Sequence, residues 1–98
     1  MRGVGLRPSA RRDLADIWIH TANHRGLDQA ERYIDDIRRA IASLGEFPER
    51  HPAHPSRHGN FRKATSGVHI VFYLVFEEEI EVVRVLHARM DAISLLDE

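Results

Sequence analysis

From Val68 to Phe76 the chain is apolar or aromatic at every position except His69. A strand with one face in water alternates, and this run does not, so it predicts a strand covered on both faces. It is also far shorter than the ~20 residues that cross a bilayer. A central strand needs neighbours. Phe61–Ser66 precedes it across Gly67, and Ile80–His87 follows it across Glu77, Glu78 and Glu79. Connections this short predict three antiparallel strands. The three adjacent carboxylates at the second turn repel one another and require a solvated tip.

The N-terminal half has the helical period. Val4 and Leu6 alternate with Gly3, Gly5 and Arg7 in a short strand that Pro8 stops. Ser9 is the expected N-cap of a first helix, with Asp13 set against the dipole. Leu14, Ile17, Trp18 and Thr21 recur at helical spacing and form its core face, Trp18 included. Gly26 ends that helix, and Asp28 with Glu31 resembles a capping box opening a second. Ala30, Ile34, Ile37, Ile41 and Leu44 make its apolar stripe up to Gly45. Asp28–Arg32, Arg32–Asp36 and Asp35–Arg39 stand at ion-pair spacing on the other side. Two helices this close form an antiparallel hairpin. Phe47–Asn60, with Pro48, Pro52 and Pro55, is expected to be a loop. Asp91 is the expected cap of a short C-terminal helix that carries Ile93, Leu95 and Leu96. The fold class is therefore α+β: an N-terminal strand, an antiparallel helical hairpin packed on a small antiparallel sheet, and a short C-terminal helix, all in one domain over residues 1–98.

Composition narrows the function. With no cysteine among 98 residues, disulfides and thiolate metal sites are excluded, in keeping with a cytoplasmic location. No apolar leader opens the chain, and no membrane span is expected. A net charge of -1 argues against direct nucleic-acid binding by the whole molecule. His51, His54 and His58 lie on the proline-rich loop without helical spacing or cysteine, so the expectation is solvated histidines and no metal or cofactor.

The segment Ile80-Glu-Val-Val-Arg-Val-Leu-His-Ala-Arg-Met-Asp91 ends a strand on titratable and cationic groups, where a scaffold presents side chains to a partner. Arg84 shares alternation parity with Ile80, Val82 and Leu86, which suits pairing with a carboxylate or contact with a partner. His87 suits a bond to backbone or to Asp91 that fixes the last turn, with contact to a target as the functional alternative. Arg62, Arg84, His87 and Arg89 are the candidate target contacts. Ala15, Ile19, Ala22, Tyr33 and Leu95 are candidates for apolar surface left over once the core is built, the kind that an amphipathic helix covers.

Together with Pro8-Ser-Ala-Arg-Arg-Asp-Leu-Ala-Asp-Ile-Trp18 and Gly67-Val-His-Ile-Val-Phe-Tyr73, the Ile80–Asp91 segment resembles the ParE toxins of the RelE/ParE toxin–antitoxin superfamily. The resemblance spans nearly the whole chain, and the Arg-Val-Leu-His-x-Arg-Met-Asp run is its specific part. It implies a toxin that inhibits DNA gyrase by binding, without catalysis, and that a ParD-like antitoxin neutralises within a hetero-oligomer. RelE-type relatives instead cut ribosome-bound mRNA, using basic residues on the sheet and often a tyrosine or histidine near the C-terminus. In this chain no aromatic residue follows Phe76, a departure from the nuclease pattern. The alternatives are a RelE-like endoribonuclease and a homologue that binds antitoxin without toxicity.

Overall fold

The computed structural model describes residues 2–56 and 59–90. The chain runs β1 (Gly3–Leu6), α1 (Pro8–Arg25), α2 (Leu27–Ser43), a 3-10 turn (Pro48–Arg50), β2 (Ala53–Ser56), β3 (Gly59–Ser66), β4 (His69–Val75) and β5 (Glu79–His87). The five strands form one sheet in the order β1-β5-β4-β3-β2. The apolar run is the central strand, antiparallel to both β3 and β5. β1 pairs parallel to β5, with Val4 opposite Ile80 and Leu6 opposite Val82.

Gly26 alone joins the helices and can do so because its φ of 90° is open to glycine. The α2 stripe of Ala30, Ile34, Ile37, Ile41 and Leu44 is buried throughout. Ile34, Ile37, Ile41 and Leu44 pack with Leu14 and Ile17 of α1 against Val71, Tyr73, Ile80, Val82 and Val85 of the sheet. Each such aliphatic side chain contributes roughly 2 kcal/mol by leaving water. Phe61, Leu74 and Val83 form a second cluster, which accounts for the missing alternation in β4. Tyr73 lies fully buried and donates its hydroxyl to the Pro48 carbonyl at 2.8 Å. Burial pushes that phenol above its ordinary value of 10.0.

Several local expectations give way to tertiary partners. Arg7, not Ser9, is the N-cap of α1, and Pro8 opens the helix. The Ser9 hydroxyl instead donates to the Val83 carbonyl at 2.9 Å. No capping box forms on α2, which starts at Leu27; Glu31 accepts the indole N–H of Trp18 at 3.0 Å. Trp18 is only partly buried, packed against the edge of the core. None of the three expected i,i+4 pairs is found among the described residues, whereas Asp36 pairs with Arg39 one residue closer.

The expected loop Phe47–Asn60 contains the 3-10 turn and β2, whose Ala53 stands opposite Arg62 and Pro55 opposite Asn60. Proline signals a break, yet an edge strand tolerates one because only one side of it is paired. A bulge puts Phe72 opposite Arg84 and Tyr73 opposite Val82, leaving Val83 as the extra residue. Parity therefore fails across it, and Arg84 does not continue the Ile80–Val82 face. The expected C-terminal helix with its cap Asp91, as well as Leu95 and His58, lies outside the described residues.

Candidate functional site

Beyond Leu6, β1 no longer covers the edge of β5, and the first turns of α1 take its place. The Arg7 N–H donates to the Val82 carbonyl at 2.9 Å. Ser9 satisfies the Val83 carbonyl, and the Val85 N–H donates to Asp13 Oδ2 at 2.9 Å. Two short polar side chains thus complete a ladder that has run out of strand. Asp13 also receives Arg84 in a two-pronged contact, Nε to Oδ2 at 2.7 Å and Nη2 to Oδ1 at 2.9 Å. Both partners are largely buried, at 22% and 12% side-chain exposure, so breaking one strands the other. Arg7 pairs with Glu81 on the same edge.

The four candidate target contacts do not converge. Arg62, on β3, donates to the carbonyls of Glu49 and His51 and holds the 3-10 turn to the sheet. Arg84 and His87 lie two strands away on β5, and Arg84 is committed to Asp13. The Nδ1 of His87 accepts the Arg89 N–H at 3.1 Å, which fixes the turn after β5 through backbone. The Arg89 side chain is exposed. Lys63 lies over the Phe72 ring at 5.8 Å.

The five apolar candidates also divide. Ala15 and Ile19 border a groove of about 670 Å³ where α1 meets α2, floored by Leu14, Trp18 and Ile34. Ile19 is 52% exposed there, an apolar side chain in contact with water. Arg11 and Arg38 flank the groove. Ala22 is half-buried and outside this lining. Tyr33 belongs elsewhere: its hydroxyl accepts the Val68 N–H at 3.1 Å and stands 2.6 Å from Nδ1 of His69. It thereby ties the β3–β4 turn to α2. Gly67 is required in that turn, because its φ is +59° and a Cβ there would lie 2.6 Å from Tyr33 Cε1.

Around Tyr33 the structure assembles a group that linear reading missed. His20 and His24 from α1, His69 from β4 and His87 from β5 line one pocket of about 330 Å³ with Arg25. His69 stands directly opposite His87 in the ladder, their rings 5.4 Å apart. His20 and His24 stack at 4.2 Å. Burial, then the neighbouring His87 and His20, hold His69 below its ordinary value of 6.5. The only signal available in advance was the i,i+4 spacing of His20 and His24; their strand partners come from another part of the chain. Among the described residues no three metal-ligating side chains are grouped to hold an ion. Nor is any described helix long and apolar enough to cross a membrane.

Residues 4–92 match the family model described as the ParE toxin of the type II toxin–antitoxin system parDE. The chain is 40% identical over 87 residues to Toxin ParE1 of Mycobacterium tuberculosis, covering 88% of this chain and 89% of that one. Against Toxin ParE1 of Caulobacter vibrioides it is 33% identical over 92 residues, covering 94% and 95%. Its fold is similar to a chain of the chromosomal ParDE system from P. aeruginosa, with a TM-score of 0.77 at 21% identity over 89% of this chain and 96% of that one. It is also similar to a chain of the RelBE2 toxin–antitoxin complex of M. tuberculosis, at 0.68 and 18% identity, covering 88% and 96%.

Proposed function

This chain belongs to the ParE family of toxins of type II toxin–antitoxin systems, and from that premise we propose that it acts in the cytoplasm by binding DNA gyrase rather than by catalysis. The observation that carries the non-catalytic reading is the state of the cations. Cutting RNA on this sheet requires strand arginines free to stabilise the charge that develops on phosphorus. Arg84 is instead locked to Asp13, and Arg62 to two backbone carbonyls in another part of the sheet. Exposed Arg89, beside His87, is then the first candidate contact with the target.

Neutralisation follows from the groove beside Ile19. A ParD-like antitoxin would lay the apolar face of a helix over Ala15 and Ile19, with acidic residues towards Arg11 and Arg38. Covering Ile19 in this way explains why so large an apolar side chain is left at the surface.

The test adds the purified protein to gyrase and plasmid DNA. Gyrase-dependent DNA cleavage or loss of supercoiling is the expected result. Ile19→Glu should keep that activity while its affinity for the antitoxin falls at least about tenfold, roughly the loss of one desolvated apolar anchor. Cleavage of mRNA on ribosomes, abolished by His87→Ala, would overturn the reading in favour of a nuclease. Harmless expression without antitoxin would leave only antitoxin binding.

A further inference from the structure

The histidine pocket has no part in the proposal above, and its chemistry is specific. The Nδ1 of His87 accepts the Arg89 N–H, so neutral His87 carries its proton on Nε2. The Tyr33 hydroxyl engages His69 Nδ1 at 2.6 Å, which leaves Nε2 as the other polar atom of that ring. Two imidazoles, each engaged at Nδ1, therefore stand on adjacent strands with their rings 5.4 Å apart. The Nε2–H of neutral His87 suits a ligand rich in acceptors.

Positive charge comes from the facing helix. The Nδ1 of His24 donates to the His20 carbonyl at 2.8 Å, which leaves its Nε2 as the position where a proton adds. His20 and His24 stack at 4.2 Å, one helical turn apart. Arg25 adds a permanent charge, and among the described residues no carboxylate lines the pocket. The described titratable and charged groups facing it are His20, His24 and Arg25 from α1, Tyr33 from α2, His69 from β4 and His87 from β5.

We propose that this pocket binds a phosphate group, held by the imidazoles of His69, His87, His20 and His24 and by the positive charge of Arg25. A tetrahedral oxyanion offers acceptors in several directions at once, which matches donors arriving from a helix and two strands. The pocket, at about 330 Å³, is roomier than a bare phosphate requires, so the group is either free or the end of a small ester such as a nucleotide.

The whole protein with 15N-labelled histidine is titrated with inorganic phosphate and, separately, with a nucleoside 5′-monophosphate, against chloride at matched ionic strength. Saturable shifts of the His69 and His87 ring-nitrogen signals are expected. Tighter binding of the nucleotide identifies an ester; equal binding identifies free phosphate. Arg25→Gln and His24→Gln, at an exposed helix end, preserve the fold and should each weaken binding at least about fivefold, the size of a charge-assisted bond lost. Absence of saturable shifts with both ligands, equal shifts with chloride, or unchanged binding in both variants would overturn the assignment.

Discussion

At Val83–Val85 the polar groups of β5 are paired with α1: Ser9 takes a carbonyl, Asp13 takes an N–H, and the same carboxylate takes Arg84. A few residues on, His87 lines a pocket together with His20, His24 and His69. The Arg84 end draws attention in the sequence because of its charge, and it is devoted to holding the fold. At the other end are histidines with no conspicuous pattern, of which His24, His69 and His87 each engage one ring nitrogen and would offer the other to the proposed ligand. Charge in a strand therefore marks function only where the structure leaves it unsatisfied.

The contrast predicts where damage is greatest. Asp13→Ala leaves a guanidinium and a backbone N–H without their acceptor, and should cost about 3 kcal/mol in chemical denaturation. Asp13→Asn keeps an acceptor for Val85 and should lose clearly less. A loss below about 1 kcal/mol for the alanine variant would mean that the edge is not held by side chains. Next in size is Gly67→Ala, at about 2 kcal/mol, because the new Cβ meets Tyr33 at a φ that favours glycine. Adding Tyr33→Ala should then cost less than the sum of the two single changes, which a double-mutant cycle measures.

The smallest effect is the dependence on pH. The folded state holds His69 below its ordinary 6.5, so as pH drops through that value the unfolded chain takes up the proton first. Stability is therefore full above 6.5 and declines below it, until the folded histidine protonates too. His69→Asn should flatten that decline; an unaltered slope would assign it to other groups.

How much of this was legible depended on whether a residue's partner lay nearby in sequence. All five residues of the α2 stripe are buried as read, because helical periodicity is a local signal with a single core to satisfy. The central strand was equally clear from the lack of alternation. The two expected N-caps that lie among the described residues failed, since Ser9 and Glu31 found partners in Val83 and Trp18 instead of their own helix ends. β2 was hidden by prolines that an edge permits, and the bulge at Val83 reversed the facing inferred for Arg84. The histidine pocket draws on α1, β4 and β5, and nothing in linear spacing relates them. Ala15 and Ile19 were legible as leftover surface because they lie on a helix whose core face was already assigned; Tyr33, on the flank of its stripe, could have gone either way.

β1 precedes every other described element, yet its strand partner is β5, and beside it Arg7 meets Glu81 across 74 residues of chain. Until β5 is made, the N-terminal segment has no ladder and Asp13 has no arginine. Closure of the sheet is thus a long-range event, slow for its loop entropy, and β5 is the strand whose edge the helical hairpin must meet.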